Sequence, residues 1–269
     1  MSEAAANLWE GICGDAIDYF RRNRISWWKG DNNDPTGHVL SSQVACVNHL
    51  YPLRQRRDLA SAVLSAIDAE IVQAEIVDDG YVEFEFVGDR QYLAESSFSR
   101  GANCTSIDAF MIGSTAHGSR RAFMIEWKYT EVYRRKDKYI RERGIVYDDL
   151  IIAADSPFTQ INPRAFYFEP FYQMMRQTLL GWQISKHKDH GCTSCRHVHV
   201  VPEQNAEFHE NVTTPLLQGT SVTQAWTKIL KKPELYISTT PNNFMQPVIE
   251  GQDTKSLTEY LRRRYWSGV

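Results

Sequence analysis

The sequence predicts an α/β fold, and three observations carry that prediction. Two apolar runs, over 106–112 and 122–128, flank the turn-forming stretch GSTAHGS and read as a β-hairpin. Residues 81–87 alternate apolar and polar side chains with the period of a strand. Amphipathic segments of helical spacing stand on either side, so the central order is helix, helix, strand, strand, strand, helix, strand.

Taken in order, residues 5–22 place Leu8, Ile12, Ala16, Tyr19 and Phe20 at helical spacing. The stretch NRISWWKGDNNDPTGH is a loop by its Asn, Asp, Pro and Gly content. Its Trp27 and Trp28 are expected to plug an edge of the core, the alternative being stacking on bases beside Arg24 and Lys29. Ser41 is placed to cap a helix that runs to Tyr51 and stops at Pro52, burying Val44, Val47 and Leu50. An amphipathic helix is predicted over 58–73, ahead of the strand at 81–87. Beyond the hairpin come a charged helix near 134–142, a long helix over 168–184, and a strand at HVHVVP behind the loop SKHKDHGCTSCR. The last part offers a helix capped at Ser221, a short strand over 235–238, and a final helix with a Ser256…Glu259 capping box, ended by Gly268.

A chain of 269 residues can bury a large core, and one elaborated domain over 1–269 is expected, with an N-terminal helical extension (about 1–40) and a C-terminal elaboration (about 205–269). Hydrophobic content of 42% and aromatic content of 12% are those of an ordinary globule. No apolar run reaches membrane-spanning length and the start has no signal-peptide pattern, so a cytoplasmic protein without membrane contact is expected. Five cysteines, an odd and scattered set, do not make a disulfide framework. The net charge of −3 does not by itself select nucleic acid as a partner, but from Arg120 to Arg143 nine Lys/Arg stand against four Asp/Glu. Glycine patterns for nucleotide binding and a Gly-x-Ser-x-Gly nucleophile are absent from the sequence.

The chemistry concentrates in the hairpin. Asp108 interrupts the first apolar run, and Glu126 and Lys128 interrupt the second. Side chains alternate along a strand, so Glu126 and Lys128 share one face while Trp127 takes the other. An ordinary hairpin pairing brings Asp108 to that same face. Two carboxylates and an ammonium would then converge, which is the equipment for holding a hard divalent cation and activating water against a phosphodiester. The ordinary alternative is a surface Glu/Lys pair on a half-exposed strand. Charges set into apolar runs favour a protected site instead.

On these residues the chain resembles the PD-(D/E)XK nuclease superfamily, with Asp108 as its aspartate and Glu126-Trp127-Lys128 as its Glu-x-Lys. The stretches SSQVACVNHLYPLR, GANCTSIDAFMIG and FMIEWKYTEVY resemble a bacterial, restriction-endonuclease-like branch, best over 41–133 and fading towards the C-terminus. Ile107 stands where the name-giving proline would be, and no Glu is evident on the helix before the first strand, where many members carry one. The resemblance implies a restriction-endonuclease-like core, αβββαβ, with a central mixed sheet flanked by helices and extra helices at both termini. It implies Mg²⁺-dependent hydrolysis of DNA, with Mn²⁺ as a substitute and no covalent intermediate. Asp108, Glu126 and the Trp127 carbonyl would hold the metal. Lys128 would either position the attacking water or neutralise the transition state. Gln43, Asn48 and Gln173 are auxiliary candidates. For Gln43 and Asn48, structural hydrogen bonding is the favoured reading, and Gln177 stands where related nucleases place a Tyr. Arg134, Arg135 and Lys136 are candidates for DNA contact. DNA is the expected partner, and a homodimer is an allowed assembly. Two other readings stay open: a nuclease-like fold that binds DNA or protein without cutting, and an interaction module organised by zinc. The latter would use Cys192-x-x-Cys195 with only His187 and His190 as a second pair, both close on the same side, while His197 and His199 alternate on a predicted strand as core or edge residues, so zinc is not expected there.

Overall fold

The computed structural model describes residues 5–30, 34–96 and 104–266; the GAN start of one family-like stretch and Gly268 lie outside them. Helix α1 (Cys13–Arg22) buries Ala16, Tyr19 and Phe20. Helix α2 (Ser42–Leu50) begins where the Ser41 hydroxyl accepts the Val44 N–H at 3.3 Å, and it gives way at Leu50 to a 3₁₀ turn containing Pro52. Helix α3 (Arg57–Ile67) is shorter than its apolar pattern predicts. The chain turns extended at Asp68 (φ −147°, ψ 99°), and Ile71–Glu75 forms strand β1, not a last helical turn. The β-branched Ile71 and Val72 favour that outcome, because a strand partner is available for them in the sheet.

The remaining strands are β2 (Glu83–Phe86), β3 (Ile107–Thr115), β4 (Arg120–Trp127), β5 (Cys192–Val200) and β6 (Tyr236–Thr239). They form a mixed six-stranded sheet in the order β1-β3-β4-β5-β6, with β2 also pairing β3. β1 takes the second half of β3 and β2 the first, both antiparallel. β3 and β4 form the expected antiparallel hairpin, while β5 runs parallel to β4 and β6 parallel to β5. β5 therefore starts in what the sequence suggested was loop. The helix order in this half is α4 (Arg90–Leu93), α5 (Arg141–Ile152) and α6 (Phe171–His187), followed by α7 (Ala206–Glu210) and α8 (Val222–Thr227). Short α9 (Pro241–Phe244) and α10 (Gln246–Ile249) lead to α11 (Lys255–Leu261).

Two core layers clothe the sheet. One face buries Phe123, Ile125, Trp127 and Val198 against α1, α2, α3 and the C-terminal Leu257, Leu261 and Trp266. The other buries Phe110, Met124 and Cys195 against α6, α5 and α8, with Leu179, Tyr147 and Trp226 among the filling side chains. Each such large apolar side chain contributes about 1.5–3 kcal/mol on leaving water. The terminal helices are thus part of the sheet's cover. This is an α/β architecture consistent with a restriction-endonuclease-like core.

Three further local predictions need correction. The segment expected to be helical over 5–22 is a 3₁₀ turn at Ala5–Asn7 and becomes α-helical only at Cys13. The charged segment 131–140 is not helical, and α5 starts only at Arg141. The Asp137 carboxylate accepts the Tyr139 N–H at 2.8 Å and the Lys138 N–H reaches the Tyr167 carbonyl at 2.7 Å, so the donors a helix would use are engaged elsewhere. The Ser256…Glu259 box does not form either, since α11 already begins at Lys255 and both residues lie inside it.

Candidate active site

The hairpin register decides what meets what. Ala109 pairs with Ile125, so Asp108 falls opposite Glu126 at the open end of the strands. On the other side of β3, Phe84 pairs with Ala109 and Phe86 with Ile107, so Glu85 falls opposite Asp108. Like charges directly opposed across strands repel, and here three carboxylates line up across three strands. Glu85 is further marked by a left-handed backbone, φ 50°. Successive alternate residues of a strand share a face, yet Phe84 belongs to one core layer and Phe86 to the other, where it stacks on Phe110 at 4.0 Å. The unusual backbone at Glu85 produces that switch. A non-glycine residue held there is a local strain that surrounding structure must impose.

Glu126, 2% exposed, is gripped on both oxygens. Its Oε1 accepts from the Lys128 ammonium at 2.6 Å and from Gln173 Nε2 at 2.7 Å, and its Oε2 accepts from Gln177 Nε2 at 2.5 Å. Gln173 turns its Oε1 to the Lys128 ammonium at 2.8 Å, so one amide bridges both members of the ion pair. Gln177 Oε1 lies 3.0 Å from His197 Nε2, and His197 Nδ1 lies 3.1 Å from the Thr178 hydroxyl. Burial, with Lys128 nearby, pushes His197 down to about 3, so the ring is neutral. Because Gln177 presents a carbonyl oxygen, His197 carries its proton on Nε2 and accepts from Thr178 on Nδ1. α6 thus supplies Gln173 and Gln177, four residues apart on one helical face, as the frame that orients Glu126.

Asp108 accepts the Trp127 N–H at 2.8 Å. Burial, then the charges of Glu126 and Glu85, hold its carboxyl well above the usual range, against Lys128 and that N–H. Lys128 is opposed by burial, yet Glu126, with Tyr133 and Asp108, raises it well above an ordinary lysine and keeps it charged. Glu85 accepts from Gln43 Nε2 at 2.8 Å, and Gln43 Oε1 accepts the Trp28 N–H at 2.8 Å. Gln43, Glu85, Asp108, Glu126, Lys128 and Gln173 open onto one cavity of about 490 Å³, whose walls also include Tyr133, Glu169 and Arg176. Arg176 is engaged by Glu95 at 3.2 Å.

The carboxylates fit a hard divalent cation by type and by charge imbalance: Glu85, Asp108 and Glu126 face Lys128, and an oxygen donor set suits Mg²⁺ or Mn²⁺ over zinc. Among the described residues, no three His, Cys, Asp or Glu side chains already stand around a single point. Both oxygens of Glu126 are instead taken up by Lys128 and the two glutamines.

The structure therefore brings together Asp108, Glu126, Lys128, Gln43 and Gln173. Trp127 turns its ring to the opposite core layer, 4.5 Å from His49. Asn48 is elsewhere: it accepts the Trp9 N–H at 2.7 Å and donates to the Asn7 carbonyl at 3.0 Å and the Tyr265 hydroxyl at 2.8 Å. Its role is to tie the N-terminal and C-terminal segments together, because its helical position points it away from the cavity. Arg134, Arg135 and Lys136 are exposed on the coil that follows the site and do not line the cavity. Cys192 and Cys195 are buried thiols; burial pushes Cys192 up to about 12. His187 stacks on Tyr92 at 5.1 Å and His190 lies 5.7 Å from the Phe110 ring, so the histidines of that stretch disperse over separate contacts.

Sequence reasoning missed Glu85 and the grip of Gln177. The signal for Gln177 was its spacing of four from Gln173 on a strong helix. Glu85 sits in a strand that alternates as a half-exposed strand would, which disguised its burial.

A family model described as Restriction Endonuclease associating with ARP matches residues 1–266. The chain belongs to this restriction-endonuclease family, and the match reaches well beyond the 41–133 stretch where the sequence resemblance was best. No curated protein and no solved structure matches the chain.

Proposed function

We propose that this protein is a divalent-cation-dependent DNA endonuclease that cuts phosphodiester bonds at the Asp108–Glu126–Lys128 cavity. The observation that carries the reading is the row of Glu85, Asp108 and Glu126 across adjacent strands, with the Lys128 ammonium 2.6 Å from Glu126. Membership of a restriction-endonuclease family supports it.

Asp108 and Glu126, with the Trp127 carbonyl, are the residues that would hold Mg²⁺ or Mn²⁺, and Glu85 adds a third carboxylate on the strand side. The bound cation would supply Lewis-acid stabilisation of charge on the phosphate and ease deprotonation of the attacking water. Lys128, buried and charged, offsets negative charge that grows on the phosphate oxygens as the bond to the leaving oxygen breaks. Gln173 holds the ammonium and the Glu126 carboxylate in one orientation, which limits reorganisation during the reaction. Gln177 does the same for the second carboxylate oxygen through neutral His197. Burial of the set lowers the local dielectric, so each of these charges acts more strongly than in water.

The test is incubation of supercoiled plasmid and linear duplex with the purified protein, with Mg²⁺, with Mn²⁺ and with EDTA. Cleavage in the first two and none in the third is expected, and Asp108→Ala should be inert throughout. Equal cleavage by Asp108→Ala would overturn the assignment.

A further inference from the structure

The two neighbouring tryptophans of the first loop have opposite fates. Trp27 is in the core, its ring stacked on Phe20 at 3.8 Å and 9°. Trp28 stands out of it, 50% exposed, on the rim of the cavity that holds the carboxylates. Burying Trp27 fixes the direction of Trp28, and the backbone around them is forced. Arg24 and Lys29, on either side, both have left-handed backbones, φ 55° and 52°. Non-glycine residues held in that region need surrounding structure to impose it. The Trp28 N–H is tied to Gln43, whose amide also holds Glu85, so the indole is anchored to the acidic site itself. His38 presents its ring edgewise, 6.0 Å away at 85°, and its segment is pinned by Asn7, which donates to the Thr36 and His38 carbonyls at 2.9 and 3.1 Å. The Lys29 ammonium rests 4.3 Å from the indole centroid. Exposed Val39 and Leu40 extend the apolar patch, and Leu40 and His38 join Trp28 on the cavity rim.

A fixed, half-exposed indole beside a phosphodiester site has one apolar, planar partner on DNA, the face of a base. In a paired duplex both faces of a base are covered by its neighbours. An unpaired base has a free face, and stacking on an aromatic ring tolerates any sequence. We propose that Trp28 is a stacking platform for an unpaired nucleobase next to the scissile phosphate, so that the preferred substrate is single-stranded or locally unpaired DNA. The incoming base displaces the Lys29 ammonium from the ring, and that charge is then placed to meet the adjacent phosphate. The inference rests on the nuclease reading for the identity of the ligand, and on the rim geometry for its unpaired state.

The experiment measures fluorescence anisotropy of a fluorescein-labelled twelve-nucleotide oligothymidine and of a blunt duplex, in Mg²⁺, with the Asp108→Asn protein as parent so that the probes stay intact. Trp28→Ala and Trp28→Phe are made in that parent. The tie to Gln43 runs through the backbone N–H of residue 28, so both variants keep it. Single-strand affinity should fall about ten-fold in Trp28→Ala and return in Trp28→Phe, with the duplex shifting by less than about two-fold. Equal single-strand affinity of parent and Trp28→Ala, or equal losses on both probes, overturns the platform. So does a parent that binds no single strand. A persistent single-strand effect in a wild-type protein that cuts no DNA with Mg²⁺ or Mn²⁺ would remove the nuclease reading and leave the platform standing.

Discussion

Strand β4 carries a charge cluster at each end, and the two are built differently. At its start Arg121 donates to Asp68 and, at 2.6 Å, to Glu70, while Arg196 Nε lies 3.0 Å from Asp68. Two guanidiniums meet two carboxylates, on the sheet face covered by α3. At its end, on the other face, Glu126 pairs with the Lys128 ammonium, and Asp108 and Glu85 follow it across the neighbouring strands. The first cluster is matched in charge and complete. The second has an excess of negative charge, strain at Glu85, and an open cavity. Matched charge belongs to the architecture, whereas unmatched buried charge is held by the rest of the fold for a ligand to complete. The contrast can be tested at four levels, beginning where the response should be greatest.

Alanine at Asp108, Glu126 or Lys128 should reduce cleavage by roughly 10³-fold or more, about 4 kcal/mol of transition-state stabilisation, with the far-ultraviolet circular dichroism unchanged. Asp68→Ala should do the reverse. Removing Asp68 takes the shared carboxylate from Arg196 and from Arg121, which keeps only the exposed Glu70, so a loss of about 1–3 kcal/mol in urea unfolding is expected, with specific activity of the folded fraction retained. If both substitutions act on stability alone, the two clusters are of one kind and the contrast fails.

Mg²⁺ should raise the unfolding free energy by about 2.7 kcal/mol at one hundred times its Kd, and this gain should vanish in Glu126→Gln but persist in Glu70→Gln. Thermal melts across a Mg²⁺ titration read it directly. A wild-type curve that ignores the cation would sever the acidic cluster from metal binding.

Much of this site could be read in the chain. The turn-rich GSTAHGS between two apolar runs fixed the hairpin, and the period of two placed Asp108, Glu126 and Lys128 together. Gln173 was named through the family resemblance, which places a Gln on the helix after Glu-x-Lys, and α6 brings it to the Glu126–Lys128 pair. For Asn48 structural hydrogen bonding was the favoured reading and is what its contacts show, whereas Gln43 reaches the cavity; their helix is almost wholly buried, so no polar face told the two apart. Glu85 could not be found from alternation, because the left-handed backbone that turns it into the site breaks that alternation. β1 was lost inside a helical pattern for a similar reason: only the vacant second half of β3 makes Ile71–Glu75 a strand.

The metal-free protein should also show the imbalance in its pH dependence. Asp108 has a folded pKa above its unfolded value of about 3.9, because burial and then Glu126 and Glu85 disfavour its charge. A raised carboxyl binds its proton more tightly when folded. Its favourable contribution is complete below the unfolded value and is lost as pH rises through the folded one. In EDTA, wild-type stability should therefore fall relative to Asp108→Asn as pH climbs from about 4 towards 8, by about 1.4 kcal/mol for every pH unit that separates the folded value from the unfolded one. Saturating Mg²⁺ should flatten the difference.

The smallest effect is expected in solvent. Arg134, Arg135 and Lys136 lie exposed on the coil just beyond the site, where a charge neither costs desolvation nor orders the core. Such residues contribute to DNA binding through phosphate contact and counterion release, and not through stability. Replacing all three with Gln should leave the melting temperature within about 1 °C. It should weaken duplex binding and reduce the slope of log K against log salt by about 0.9 for each phosphate that is no longer neutralised. Binding isotherms at several salt concentrations give that slope. An unchanged slope would make the cluster a solvated surface, and DNA would then have to approach the acidic cavity over the Trp28 rim.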